Sequence, residues 1–219
     1  MESARIKKYI KPVSIGILIA VFIYSCILCL LSIVLLLSRA MLPEEVALRQ
    51  EIVNIAQQYL GCNEADGSHE KIIDIYNTQE SLPRGYQVQY TDSWCATFVS
   101  AVAMQSAMEE WIPTECSCQE MIARIKKNDD WKESDWYIPQ KGDIIFYAWG
   151  ESPFGECTGW ADHVGIVVGV YGPIIKVIEG NKDDSVSYHY VWINHPQIRG
   201  YGLPNYRKAG NCGITPVTE

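Results

Sequence analysis

Residues 13–38 form a run of 26 without a charged side chain, rich in Ile, Leu and Val, which the surface of an ordinary domain cannot carry. As a helix rising about 1.5 Å per residue the run would be about 39 Å long, enough to cross a hydrocarbon core of roughly 30 Å with some tilt. Arg5, Lys7, Lys8 and Lys11 precede it, whereas Arg39 is soon followed by Glu44 and Glu45. Basic flanks stay on the cytoplasmic side, so residues 1–12 are expected in the cytoplasm and everything after the span outside the cell. A cleaved signal peptide competes with this reading, because Ser38-Arg39-Ala40 has the small-x-small form of a cleavage site. The apolar core of a signal peptide is only about 7–15 residues, so the longer run favours an uncleaved, single-pass anchor in the cell membrane over residues 13–38.

The remainder has the length of one domain of moderate size. The whole chain carries a net charge of −8, and residues 1–12 contribute +3 through four basic groups and Glu2, which leaves −11 beyond them. That acidity argues against nucleic acid, whose phosphates demand Lys and Arg, and matches an anionic lipid surface poorly. Of the eight cysteines, Cys26 and Cys29 lie inside the apolar run and serve as small apolar residues. Cys62, Cys95, Cys116, Cys118, Cys157 and Cys212 remain outside it. If Cys95 is a free nucleophile the others are odd in number and cannot all pair. Cys116-Ser117-Cys118 has neither the spacing nor the second pair of a common zinc knuckle. One bridge fits the count, and no pairing is assigned by the sequence.

A short linker and helix start occupy residues 39–50, with Pro43 in the first turn and Glu44 and Glu45 facing the helix dipole. Ile52, Val53, Ala56, Tyr59 and Leu60 continue as an apolar stripe that stops at Gly61. The loop Asn63-Glu64-Ala65-Asp66-Gly67 lacks the alternating oxygen ligands of a calcium site and reads as a solvated turn. A short helix is expected over residues 68–76. Asp92 and Ser93 can both cap a helix in which Cys95, Phe98, Val99 and Val102 fall at i, i+3, i+4 and i+7, one buried face. Ser117 with Glu120 is a capping box for a further helix that buries Met121, Ile122 and Ile125. From Pro139 the period changes. Residues 142–147, 163–170, 174–179, 185–192 and 199–201 read as strands separated by turn residues. Helices first and an antiparallel sheet second, without βαβ alternation, make the class α+β.

Cys95 sits in the first turn of its helix, where unpaired amides and the positive end of the dipole favour a thiolate. A cysteine nucleophile needs a histidine to take its proton, and the histidine needs a third group to orient it. Among His69, His163, His189 and His195, His163 stands out because it opens an apolar strand directly after Asp162. If the following turn centres near Gly172, facing residues sum to about 344, which sets His163 opposite Asn181 and diagonal to Glu179. Those two share a sheet face, and either can hold the imidazole in the productive tautomer. Gln89 and Tyr90 are candidates for the oxyanion donor beside the Cys95 amide. Trp94, Trp149, Trp160 and Tyr147 either line a substrate groove or pack the core.

Residues 93–103 (SWCATFVSAVA), 138–149 (IPQKGDIIFYAW), 162–170 (DHVGIVVGV), 177–181 (VIEGN) and 198–206 (IRGYGLPNY) together resemble the CHAP domain. That family comprises cysteine- and histidine-dependent amidohydrolases and peptidases of bacterial cell-wall turnover. The resemblance covers residues 51–206 and leaves residues 207–219 as a C-terminal tail. It implies a papain-like fold of the NlpC/CHAP type, with Cys95 as nucleophile, His163 as general base, and Glu179 and Asn181 as the orienting pair. Some members bind calcium through several acids near the cysteine. Here only Asp92 stands close by, so neither a metal nor a cofactor is expected. The implied activity is hydrolysis of an amide bond in peptidoglycan through a thioester, by a muramoyl–alanine amidase or a stem or cross-bridge endopeptidase. The implied setting is wall close to the membrane, in local remodelling or in service of a secretion or conjugation apparatus. An NlpC-type endopeptidase, an amidase with a different substrate, and a catalytically silent wall-binding module remain as alternatives.

Overall fold

The structure, a computed structural model, describes residues 16–32, 41–134, 136–150 and 159–216. The chain divides into two units, residues 1–41 and 42–219. In the first, residues 16–32 form a helix (α1) whose side chains are exposed. Among the described residues no helix is long and apolar enough to cross a membrane. The remaining parts of the expected span, residues 13–15 and 33–38, lie outside the described residues, as does the candidate cleavage site.

The second unit is α+β. It runs α2 (Pro43–Gln57), α3 (Glu70–Asn77), a 3-10 turn (Pro83–Gly85), α4 (Cys95–Gln105), α5 (Cys118–Lys127), β1 (Trp131–Lys132), β2 (Ile144–Tyr147), β3 (His163–Tyr171), β4 (Ile174–Lys182), β5 (Ser185–Trp192), β6 (Ile198–Gly202) and α6 (Tyr206–Asn211). The strands form one antiparallel sheet in the order β1-β6-β2-β3-β4-β5. The last strand thus returns to pair with the second. The five longer strands and the helix starts at Pro43 and Cys118 lie where the periodicity predicts them. Ser117 accepts from the amide of Glu120, as the capping box requires. Leu60 departs from the expected stripe. The helix ends at Gln57, the chain turns, and Leu60 is exposed while Tyr59 is buried. The two-residue strand β1 and helix α6 carry no periodic signal, and both exist by pairing or packing against distant segments.

Two apolar layers sandwich the sheet's inner strands. On one side Ile144, Phe146, Val164, Ile166 and Ile178 join the helices in the larger core. On the other, Ile145, Tyr147, Val167, Val177, Val191 and Tyr201 form a smaller cluster. α4 lies at the centre of the larger layer against β3 and β4. Its residues from Cys95 to Ala103 are buried without interruption, so it is embedded on all sides rather than amphipathic. The sequence Ala-Thr-Phe-Val-Ser-Ala-Val-Ala permits this, because small residues alternate with large ones. Ser100, the most polar of them, is satisfied by exchanging hydrogen bonds with the Glu115 backbone: its hydroxyl donates to the carbonyl at 2.7 Å and accepts from the amide at 2.8 Å.

The β3–β4 hairpin turns through Gly172 and Pro173, with Gly172 at a φ of +60°. Next to the turn facing residues sum to 345, as in Tyr171 with Ile174, but beyond it Gly165 faces Glu179, a sum of 344. The register shifts between Val167 and Gly169, so Val168 is the extra residue of a bulge.

At Gly180 the α4 region packs directly onto the backbone of β4. A Cβ there would lie 2.4 Å from Phe98 Cβ and 2.9 Å from Trp94 Cζ3. Gly180→Ala is therefore expected to cost about 1–3 kcal/mol through overpacking. Thermal or urea denaturation of the full chain measures this, and an unchanged midpoint would refute the close packing.

Candidate functional site

Cys95 is the first residue of α4 and is 6% exposed. The residue before it, Trp94, occupies the cap position, and no side chain caps the helix. The expected caps are thus corrected. Asp92 instead accepts from the Gln89 amide at 2.8 Å and from the Tyr86 hydroxyl at 2.8 Å. In that uncapped first turn the Ala96 amide favours the thiolate form of Cys95.

His163 opens β3, an inner strand of the sheet. Asp162 fixes that strand start, accepting from the amides of Trp149 at 3.0 Å and Gly150 at 3.2 Å while its own amide donates to the Tyr147 carbonyl. His163 Nε2 donates to Glu179 Oε2 at 3.2 Å. The other oxygen of Glu179 accepts from His189 Nδ1 at 2.9 Å. Glu179 itself is 1% exposed. It crosses to His163 over Gly165, its partner on β3, where a Cβ would sit 2.6 Å from Glu179 Cγ. Glycine at 165 is what leaves the carboxylate its path.

The charges follow from this geometry. The Cys118 thiol lies 3.6 Å from the Cys95 sulfur. A hydrogen bond from that thiol, with the bond and charge of His163 and the Ala96 amide, overcomes burial and lowers the Cys95 thiol from 9.0 to about 5. Cys118 is correspondingly pushed up, because it holds the shared proton. Burial pulls the His163 imidazole down, but Cys95 and Glu179 outweigh it and raise it from 6.5 to about 10. Burial alone would raise Glu179, yet its two histidine donors bring it down to about 2. Between these limits Cys95 is a thiolate and His163 an imidazolium, the state in which a cysteine is ready to attack an electrophilic carbon.

The structure brings Cys95, His163 and Glu179 together and separates Asn181 from them. Asn181 takes a φ of +57°, which Asn tolerates better than most residues, and leaves the ladder. Its amide nitrogen donates to Glu64 Oε1 at 2.9 Å, and the Trp94 indole donates to the same oxygen at 2.9 Å. Asn181 is therefore corrected from a partner of the imidazole to part of a brace between β4 and the loop at Glu64. That loop is tied down rather than merely solvated. Trp94 belongs to the brace and is fully buried, so it does not line a groove. Gln89 turns its amide onto the Gln87 carbonyl, and the Tyr90 hydroxyl donates to Asp74, so neither side chain is aimed as an oxyanion donor. Trp149 stacks on Tyr147 at 4.4 Å and approaches His163 and His189, with ring centres 6.4 and 5.6 Å away, so it borders the site. Trp160 is exposed on the loop before Asp162. Among the described residues no cluster of His, Cys, Asp or Glu is arranged to hold a metal ion.

Iodoacetamide alkylation of Cys95, followed by mass as a function of pH, tests this charge arrangement. The reactive form is the thiolate, so the rate is expected to rise as pH increases through about 5 rather than through 9.0. Glu179→Gln removes an anion that favours the imidazolium, so the His163 titration should fall from about 10 toward 6.5 and the thiolate limb should move up. Asn181→Ala should leave both limbs in place. Equal displacement by the two substitutions would contradict the assignment of Glu179 as the partner of His163.

Residues 85–181 match the model of the CHAP domain family. No curated protein matches the chain. Among solved structures, one described as "The crystal structure of Ly7917" is similar over 62% of this chain and 62% of its own, at 19% identity and a TM-score of 0.35. The matched segment contains Cys95, His163, Glu179 and Asn181, so over residues 85–181 this chain is similar to the CHAP domain family.

Proposed function

We propose that the chain is a membrane-anchored cysteine hydrolase that cleaves an amide bond in peptidoglycan. The observation that carries this reading is the placement of His163, hydrogen-bonded to a buried carboxylate at 3.2 Å and paired with the thiol of Cys95. With Nε2 held by Glu179, Nδ1 is the nitrogen available to Cys95. The Cys95 thiolate attacks the carbonyl carbon, and the C–S bond forms as the carbonyl π electrons move to oxygen. The positive end of α4 favours that developing negative charge. The imidazolium of His163 gives its proton to the departing amine as the C–N bond breaks, leaving a thioester. Neutral His163 then takes a proton from water, the hydroxide attacks the thioester, and Cys95 leaves as thiolate. Glu179 keeps the ring in one tautomer and one orientation throughout, and it favours each imidazolium stage by its charge.

The match of residues 85–181 to the CHAP domain family model supports peptidoglycan as the substrate class. The uncharged run over residues 13–38 and its basic N-terminal flank support an anchor with the domain outside the cell. Only a few residues separate that run from α2 at Pro43, so the enzyme would act on wall close to the membrane. That position suits local opening of the wall for a secretion or conjugation apparatus. His189 reaches His163 only through Glu179, which favours this assignment over an NlpC-type site with one histidine orienting another.

Full-length protein in detergent should release soluble muropeptides from purified peptidoglycan, and mass spectrometry of the products identifies the bond cut. Cys95→Ala and His163→Ala are each expected to lower release by about a thousandfold or more. Release by Cys95→Ala at the wild-type rate would sink the proposal.

A further inference from the structure

The proposed hydrolysis uses one thiol, yet the site holds two. Cys95 Sγ and Cys118 Sγ lie 3.6 Å apart, both more than nine-tenths buried and each the first residue of its helix. Every described cysteine is free. The placement of Cys118 is built by several independent contacts. Ser100 holds the Glu115 backbone against the middle of α4. The Glu115 carboxylate takes ion pairs from Arg84 at 3.1 Å and Arg124 at 2.9 Å. Ser117 caps α5, and the neighbouring Gln119 accepts from the Ala161 amide at 3.3 Å, two residues before His163. A cysteine that served only as a small apolar filler would not need its sulfur aimed at the nucleophile. The separation exceeds an S–S bond of about 2.05 Å by about 1.5 Å. Side-chain rotation and a small helix shift span that gap.

We infer that Cys118 is a resolving cysteine, which traps oxidised Cys95 as a reversible Cys95–Cys118 disulfide when the protein meets a peroxide. In the first step the Cys95 thiolate attacks one oxygen of hydrogen peroxide. The S–O bond forms, the O–O bond breaks, and the departing hydroxide takes the His163 proton to become water. Cys95 is oxidised to the sulfenic acid and the peroxide is reduced. In the second step the sulfur of Cys118 attacks the Cys95 sulfur. The S–S bond forms, the S–O bond breaks, and the hydroxide leaves as water with the Cys118 proton. One peroxide thus converts two thiols to one disulfide and two waters. The bond withdraws the nucleophile from catalysis and spares it from further oxidation to sulfinic acid, which a thiol reagent does not reverse. An added dithiol restores both sulfurs by exchange.

That the disulfide forms follows from the sulfur geometry. That it switches an enzyme off rests on the hydrolase reading above, so the test reads the two separately. Full-length protein in detergent is treated with a slight excess of hydrogen peroxide, blocked with N-ethylmaleimide, digested without reductant and examined by mass spectrometry. The expected product is a peptide pair joining Cys95 to Cys118, lighter than the two thiols by two hydrogen atoms and separated by dithiothreitol. In parallel, muropeptide release should fall by about tenfold or more and return with dithiothreitol. Cys118→Ser and Cys118→Ala are each compared with their own untreated activity. Both should lose activity that dithiothreitol does not recover, and their Cys95 should carry sulfinic acid. Wild-type Cys95 that reaches sulfinic acid with no joined peptide would overturn the inference, whether or not the variants fold. A joined peptide from a protein that releases no muropeptides before treatment would leave the cysteine pair standing and defeat the hydrolase reading instead.

Discussion

A carboxylate that is 1% exposed must be answered by donors, because an unpaired buried charge costs several kcal/mol. Glu179 meets that demand with two histidines, one on β3 and one on β5, so three adjacent strands converge on a single ionised group. The organisation of the site follows. His163 is held as an imidazolium by the carboxylate on one side and the Cys95 thiolate on the other, and the thiolate is in turn held by His163, Cys118 and the start of α4. Loss of any member leaves its neighbours with an uncompensated buried charge, so the chain of groups behaves as one unit.

Such a chain works only if helix and sheet approach closely, and glycine makes this approach at two places. Gly180 lets Phe98 and Trp94 of the α4 region press onto β4. Gly165, on the opposite sheet face, clears the way for Glu179. The aromatic layer of Tyr147 and Trp149 then closes the polar cluster from the side away from α4, which keeps the local dielectric low and the electrostatic coupling strong.

Much of this was legible in the sequence, and the misses have physical causes. The strands were readable because Val, Ile and Phe recur between turn residues, and the Cys95 helix because small and large apolar residues follow a cap-like segment. The pairing of His163 with Glu179 followed from hairpin arithmetic. The same arithmetic misplaced Asn181, since it assumes a ladder that continues, whereas the backbone there turns into the left-handed region. His189 was within reach of the method. With a turn at Asp183 and Asp184, β5 lies so that Val177 faces His189 and Glu179 faces Ser187, which sets His189 diagonal to the carboxylate. Cys118 was not legible, because its position depends on how α5 docks on α4. Sequence spacing carries no information about that; the buried bonds between Ser100 and Glu115, the ion pairs of Glu115 and the bond from the Ala161 amide to Gln119 fix it.

The bulge at Val168 has a consequence for how this hairpin tolerates change. A two-residue turn alone would pair residues summing to 345 throughout, as it does from Tyr171 to Gly169. In that phase Glu179 would face Ile166 and share its side of the sheet with the helices, away from His163. The extra residue converts the phase by one, so the turn end and the site end of the same two strands obey different parity. Val168 is thus a phase converter between a turn and the face that carries His163 and Glu179. Deleting it would join Val167 to Gly169 and leave Val167 facing Val177 and Gly165 facing Glu179, so His163 and its carboxylate would keep one side of the sheet with the bulge gone, whereas a ladder that ran through Val168 unbulged would part them.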